Sequence, residues 1–249
     1  MGSFRPLERS LQQSATITPS AGETPRRAPS ETAHVGAIVL AAGSGRRFGT
    51  SKQFLELTPG TRLVDRALDV AATVADTVVV VLPDARVWDG SAVYAAVAGG
   101  EDRLESAAKG MAALPVEVEI VLVHDAAHAL ATPSIAAACV DAIASGAAAA
   151  VPWLEAADVI APAGDGVLGA PIGRAGFGTV QVPMAFDLAR LRHAHALEGR
   201  PDTVVEDSAL MRWAGHDVAV VPGDASNVHV VDPASLDLAR RLASSPVDG

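Results

Sequence analysis

Lysine, cysteine and aromatic residues are scarce in this 249-residue chain. Lys52 and Lys109 are its two lysines, although Lys and Arg together number 19. Acidic residues number 29, and the net charge of −10 argues against a general nucleic-acid-binding surface. The single cysteine, Cys139, rules out an internal disulfide. It lies in an apolar helical stretch, reads as a core residue rather than a nucleophile, and suits a cytoplasmic protein. No apolar run has the length and uniformity of a membrane span. The opening residues carry arginines without an apolar core, so they do not read as a secretory signal. Aromatics make up only 4%, yet hydrophobic residues reach 49%, mainly alanine and valine. That content is enough for a sizeable core in one large α/β domain or two small ones.

Organisation follows from patterning. Residues 1–34 are rich in Ser, Thr, Pro, Gln and Arg without periodicity, and read as a disordered N-terminal extension. From Val35 to the end, strands and helices alternate in one domain. Strands are expected at Val35–Leu40, Thr77–Leu82, Glu119–Val123, Ala147–Pro152 and Val218–Val221. Helices are expected at Leu63–Val74, Arg103–Leu114, Pro133–Ser145, Ala185–Leu197, Glu206–Ala214 and Pro233–Ala243. Such alternation predicts a mostly parallel sheet with helices on both faces. Ligands in that architecture sit beyond the carboxyl ends of the strands. The stretch at about 153–179 breaks the pattern. Asp158–Pro162, a turn at Gly164-Asp165-Gly166 and Val167–Gly169 read as a hairpin projecting from the sheet. A protruding hairpin of this length often packs on another subunit.

The first strand runs into the most informative segment, Ala41-Ala42-Gly43-Ser44-Gly45-Arg46-Arg47-Phe48-Gly49, followed by Ser51-Lys52-Gln53. Gly43, Gly45 and Gly49 allow a sharp turn and close approach to a ligand. Amides in such a turn can point at phosphate oxygens. Arg46, Arg47 and Lys52 add positive charge beside them, and a lysine in so arginine-biased a chain suits a compact, mobile ammonium. The loop can also be read as an ordinary strand-to-helix turn, or as a dinucleotide-binding loop. The latter expects G-x-G-x-x-G, whereas the spacing here is G-x-G-x-x-x-G with Phe48 at the third glycine's place. Two arginines in the loop suit a triphosphate better than a dinucleotide.

Other segments carry candidate chemistry. Asp125 ends a buried strand, where a carboxylate faces the ligand crevice. It is a candidate Mg²⁺ ligand or a helix N-cap. His124 reads as structural. Gly99-Gly100-Glu101-Asp102-Arg103 precedes a helix with Ser106 on its first turns. Glu101 or Asp102 could cap that helix, or the backbone there could read a nucleobase edge. Asp224 and His229 follow the last core strand, either lining the crevice or in an exposed loop.

Together these segments resemble the 2-C-methyl-D-erythritol 4-phosphate cytidylyltransferase family of the non-mevalonate isoprenoid pathway. The family loop reads about A-A-G-x-G-x-R-x-G…P-K-Q, and here serine (Ser51) stands for the proline. The family's G-G-x-x-R-x-x-S corresponds to Gly99–Ser106, and its V-H-D-A-A-R to Val123–His128. The resemblance implies a Rossmann-like nucleotidyltransferase fold with a dimerising β-arm, hence a homodimer, with CTP as substrate and Mg²⁺ as cofactor. The implied reaction joins CMP to a phosphorylated small-molecule acceptor and releases pyrophosphate. By position Ala41, Ala42, Gly43, Gly45, Gly100, Glu101 and Ser106 would surround the nucleotide. Arg47 and Lys52 would hold the triphosphate, and Asp125 the metal. In-line attack on the α-phosphorus needs positioning and charge neutralisation, not a covalent nucleophile.

The acceptor side departs from the family, and its residues would be His128, Asp158, Arg174 and His229. Family members carry arginine at His128, lysine at His229, threonines at Val159 and Val182, and glutamine at Met184. Arg174 alone fits an expected phosphate-binding arginine, reaching a neighbouring subunit's site. Two fixed cations thus become histidines, mostly neutral at pH ~7. The acceptor is therefore methylerythritol phosphate, a different sugar or polyol phosphate, or none in a non-catalytic nucleotide-binding homologue. A nicotinamide-dependent oxidoreductase is a more distant reading.

Overall fold

A computed structural model describes residues 33–43, 45, 48–84 and 86–244. Arg46, Arg47 and the expected extension, apart from Ala33 and His34, lie outside the described residues. The elements are β1 (Val35–Leu40), β2 (Glu56–Thr58), β3 (Thr61–Arg62), α1 (Leu63–Ala72), β4 (Thr77–Leu82), β5 (Ala95–Ala98), α2 (Arg103–Ala112), β6 (Ile120–Asp125) and α3 (Pro133–Ala144). They continue with β7 (Ala149–Glu155), β8 (Ala163–Gly164), β9 (Val167–Leu168), β10 (Gly178–Val180), β11 (Met184–Asp187), α4 (Leu188–Ala196), α5 (Asp207–Trp213), β12 (Val218–Pro222) and α6 (Pro233–Ser244).

The main sheet has eight strands among the described residues, in the order β12-β7-β11-β6-β1-β4-β5, with β10 continuing the β11 side of β7. β1 is central and parallel to both neighbours, with Ile38 opposite Val79 on one side and Val123 on the other. The mostly parallel α/β sheet expected from the alternation is what forms. β10 and β11 are its antiparallel members.

Alternation along β1 sorts the core into two layers. Ile38 joins Val79, Val81 and Val123 beneath Leu104 and Met111 of α2, Leu191 of α4 and Met211 of α5. Ala37 and Val39 face the other way, with Val80 and Leu122, under Val64 and Leu68 of α1 and Ala136 and Cys139 of α3. A smaller cluster of Leu57, Leu63, Val230, Leu236 and Ala239 seats α6 against β2. No helix among the described residues is long and apolar enough to cross a membrane.

One expectation is corrected. The helix expected over Ala185–Leu197 begins only at Leu188, because Met184–Asp187 is inserted as an antiparallel strand between β6 and β7. Asp187 then caps α4, its carboxylate accepting from the Arg190 amide at 2.9 Å. The hairpin turns where expected, at Asp165 (φ 50) and Gly166 (φ 76), with β8 against β9 at its tip, an Ile160–Ile172 bridge midway and β7 against β10 at its base. Both central residues of that turn have φ > 0, as a tight two-residue hairpin requires.

Candidate active site

The carboxyl ends of β1, β4, β5 and β6 are tied together. Ala41 N donates to Val81 O at 2.8 Å, Gly99 N to Leu82 O at 2.8 Å, and Ala126 N to Leu40 O at 3.0 Å. Over them opens a cleft of about 510 Å³, lined by Leu40–Gly43, Lys52, Gln53, Gly100–Arg103, Ser106, Asp125, Ala127 and His229.

One wall is the loop after β1. Gln53, 3% exposed, donates its Nε2 to Ala41 O at 2.5 Å and Gly43 O at 2.9 Å, tying both carbonyls to one side chain. The loop then turns at Gly45, whose φ of +62 and lack of a Cβ let it accept from Phe48 N and Gly49 N at 2.8 Å. A Cβ there would strike the Thr50 carbonyl oxygen. The chain returns through a single 3-10 turn, Lys52–Phe54, which brings Lys52 to the cleft with its Nζ on Val230 O.

The facing wall is the start of α2. Gly99 lies so close to Ala42 that a Cβ on it would clash with the alanine's own. Asp102 is the N-cap, accepting from Glu105 N at 2.7 Å, which decides between it and Glu101. The Glu101 amide donates to Glu105 Oε2 at 2.7 Å, and its residue lines the cleft. Ser106 Oγ accepts from Gly100 N at 3.0 Å and donates to Asp102 O at 2.8 Å, fixing the segment's path.

Asp125 forms the floor. It caps no helix, since the next one, α3, is capped by Thr132. Its partner is Arg103, whose Nε lies 3.2 Å and Nη2 3.1 Å from Oδ1. Burial works to raise the Asp125 carboxyl, and the Arg103 charge and hydrogen bonds more than offset that, holding it below the usual carboxylate range. Arg103 also reaches Asp207, which is fully buried, through Nη1 to Oδ2 at 2.5 Å. Asp207 in turn accepts from His195 Nε2 at 3.0 Å. Burial opposes the Arg103 charge, and the two carboxylates more than restore it.

His128 and His229 stack at the far end, and His128 Nδ1 lies 3.3 Å from Asn227 Oδ1. Burial holds the His128 imidazole below its usual range. His124 is fully buried and pushed down to about 3 by burial, in keeping with a structural part.

Of the expected site residues, Ala41, Ala42, Gly43, Lys52, Gly100, Glu101, Ser106, Asp125 and His229 share this one cleft. Gly45 shapes the turn behind it, and Arg47 lies outside the described residues. His128 sits behind His229 at 8% exposure. Asp158 and Arg174 are exposed on the hairpin segment, where Arg174 Nη1 donates to Ala157 O at 2.7 Å. Val182 and Met184 are core residues at 4% exposure and do not line the cleft. Asp224 binds Gln181 and Ser226 instead of facing the cleft. Sequence reasoning missed Gln53, Arg103, His195 and Asp207. Arg103 was already visible inside the Gly99–Ser106 motif, whereas nothing local marks Asp207 as its partner.

The family model of 2-C-methyl-D-erythritol 4-phosphate cytidylyltransferase, IspD, matches residues 35–244. The chain belongs to this family. A bifunctional enzyme IspD/IspF of Solidesulfovibrio magneticus is 35% identical over 232 residues, covering 84% of this chain but 57% of the relative, so the chain spans little more than half of that protein. The 2-C-methyl-D-erythritol 4-phosphate cytidylyltransferase of Deinococcus radiodurans is 36% identical over 215 residues, covering 86% of this chain and 90% of the relative. The crystal structure of the enzyme of that name from Thermus thermophilus superposes with a TM-score of 0.72 at 30% identity, over 85% of this chain and all of that one. The Rossmann-like nucleotidyltransferase fold of the IspD structures is therefore the fold of this chain.

Proposed function

We propose that the protein transfers CMP from CTP to 2-C-methyl-D-erythritol 4-phosphate and releases pyrophosphate, a step of isoprenoid precursor synthesis. The observation that carries this reading is a single cleft where the loop after β1, Lys52, the Gly100–Ser106 segment and Asp125 meet at the strand ends. Family membership supplies the identity of the two substrates.

In this reading the nucleotide lies between Ala41–Gly43 and Gly100–Ser106. Lys52, with Arg47, neutralises the triphosphate. An acceptor phosphate oxygen attacks the α-phosphorus in line, the bond to the β-phosphate oxygen breaks, and pyrophosphate leaves. The protein contributes alignment and fixed positive charge where negative charge accumulates. The donor set fits Mg²⁺. No cluster of three or more His, Cys, Asp or Glu forms a metal cage among the described residues, and a carboxylate at the strand ends such as Asp125 suits a cation that takes its other ligands from water and phosphates. Asp125 would hold it. Bound there, the ion would neutralise charge on the phosphates and favour pyrophosphate departure.

Homodimerisation and a cytoplasmic setting belong to the same proposal. The hairpin segment exposes Val159, Val167, Leu168, Phe177 and Val180, apolar area that a second copy would cover. Arg174 and Asp158 would then serve the neighbouring cleft. Sedimentation of the full chain is expected to give a dimer, and a monomer at micromolar concentration rejects it.

The stacked His128–His229 pair favours a second reading, the same transfer to another sugar or polyol phosphate. One assay separates the two. Each nucleoside triphosphate is paired with a panel of phosphorylated acceptors in Mg²⁺, and pyrophosphate is followed. Release with CTP and methylerythritol phosphate is the expected result. Release with another acceptor alone supports the second reading, and silence across the panel rejects both.

A further inference from the structure

Four elements converge on one chain of polar contacts. His195 lies in the last turn of α4, Asp207 opens α5, Arg103 opens α2 and Asp125 ends β6. Asp207 has no exposed surface, and both its oxygens are used, Oδ1 by His195 Nε2 at 3.0 Å and Oδ2 by Arg103 Nη1 at 2.5 Å. A carboxylate can only accept, so the imidazole donates. Arg103 turns its other edge to Asp125: Nε donates to Oδ1 at 3.2 Å and Oδ2 at 3.3 Å, while the buried Nη2 lies 3.1 Å from Oδ1 as an ion pair without a hydrogen bond of its own. The guanidinium is planar, so fixing Nη1 on Asp207 also fixes the edge offered to Asp125.

Charge makes this more than orientation. Were Arg103 paired with Asp125 alone, the pair would be neutral and a poor site for a cation. With Asp207 in contact, the three side chains carry one net negative charge. The wholly buried member has no route to solvent or ligand, so the surplus is expressed at Asp125, which lines the cleft. Burying a carboxylate is costly unless it is paired and hydrogen-bonded, and here the double pairing meets that cost.

We propose that Asp207, steadied by His195, is a positioning residue that sets Arg103 and offsets its charge, so that the group around Asp125 presents a net negative charge to the cleft. The inference rests on the reading of Asp125 as the ligand of a divalent cation. Neither Asp207 nor His195 lines the cleft, so neither touches the reacting groups.

The test uses the full chain with CTP and no acceptor, at about pH 8, where an ordinary histidine is neutral. Mn²⁺ binding is followed by its electron paramagnetic resonance signal, and Mg²⁺ dependence by pyrophosphate release once acceptor is added. Asp207→Asn keeps the shape and removes the charge. It is expected to weaken Mn²⁺ binding about tenfold, the size of one unit charge several ångströms away at protein-like dielectric. The Mg²⁺ concentration for half-maximal rate should rise by the same factor, with kcat at saturating Mg²⁺ little changed. His195→Ala is expected to move both in the same direction, and His195→Gln, which can still donate, to restore them. Asp125→Asn is the control for the underlying reading. If it keeps wild-type Mn²⁺ affinity, the metal role of Asp125 is wrong and the inference goes with it. If it loses affinity while folded Asp207→Asn does not, Asp207 is merely structural and the inference is overturned. Should Asp207→Asn fail to fold, the histidine pair of variants decides. Wild-type Mn²⁺ affinity in His195→Ala overturns the proposal, and a loss restored by His195→Gln sustains it.

Discussion

His128 and His229 stack with their ring centroids 4.5 Å apart and their planes 24° from parallel. The two positions are 101 apart in the chain and meet because the segment after β12 folds back over the end of β6, with Val230 N donating to Ala127 O at 2.9 Å. Asn227 steadies the pair from behind, its Nδ2 donating to Val182 O at 2.8 Å while its Oδ1 faces His128. Only His229 reaches the cleft.

That asymmetry yields a prediction. His229→Lys places a fixed ammonium in the cleft, the charge that the family resemblance implies at this position. A charge-assisted hydrogen bond to a phosphate contributes about 1.5–3 kcal/mol. The KM for methylerythritol phosphate is therefore expected to fall roughly tenfold or more, with the KM for CTP unchanged. His128→Arg should gain nothing alone, because a guanidinium would replace a ring that is 8% exposed. Initial-rate kinetics at saturating CTP measure both, and an unchanged acceptor KM in His229→Lys removes His229 from the acceptor side.

Gln53 supports a second prediction. Its amide is the donor for the carbonyls of Ala41 and Gly43. Gln53→Glu keeps the shape but turns the donor into a second acceptor facing two carbonyl oxygens. Leaving buried polar groups unpaired should cost about 2–4 kcal/mol of stability. Because those carbonyls set the direction of the loop, the KM for CTP should also rise about tenfold. Urea unfolding and initial rates check the two effects separately. A stability loss with unchanged CTP kinetics would reduce Gln53 to a packing residue.

Lys52 should behave in the opposite way. Its side chain leaves the 3-10 turn and reaches over to Val230 O, and it lies on the cleft rather than in the core. Lys52→Ala is expected to cost little stability but to lower kcat/KM by roughly 10²-fold or more, the usual loss when one donor that meets developing charge is removed. Lys52→Arg should recover only part of this, since a planar fork replaces a compact ammonium. A Lys52→Ala enzyme with near-normal turnover would show that the triphosphate is neutralised elsewhere.

How far the sequence reaches can be judged on particular elements. β1 and β4 are legible to the residue because both are continuous apolar runs, buried on both faces of a parallel sheet. β5 is not, since Ala95-Ala96-Val97-Ala98 is a short, half-exposed edge strand with no pattern of its own. β11 is hidden for another reason. Met184-Ala185-Phe186-Asp187 is short, opens with the good helix formers Met and Ala, and runs straight into a helix. Only pairing with β6 and β7 makes it a strand. In the site, the loop glycines, Lys52 and Asp125 carry their chemistry in local spacing. Arg103 and Asp207 meet across 104 positions, and no local pattern encodes that contact.

His124 gives the pH dependence. It is fully buried beside the strand ends, and neither ring nitrogen has a hydrogen-bond partner among the described residues. Burial pushes its imidazole from the ordinary 6.5 down to about 3. Between those values the unfolded chain takes up a proton that the folded chain does not, so stability rises with pH there and is lost as pH falls. Each pH unit below about 6.5 should cost about 1.4 kcal/mol from this residue. His128, whose imidazole burial also lowers, adds to the slope in the same direction. Asp125 acts in a lower window. Its depressed carboxyl contributes stability above the ordinary 3.8, and that is lost as pH falls through the folded value. Urea unfolding at pH 7, 6 and 5 should therefore show a steady fall in stability that precedes any carboxylate titration. His124→Leu, which fills the site without a titratable group, is expected to flatten that fall by about one proton's worth and to leave stability at pH 7 within about 1.5 kcal/mol of the wild type. An unchanged slope in the folded variant would mean that the proton is taken up elsewhere.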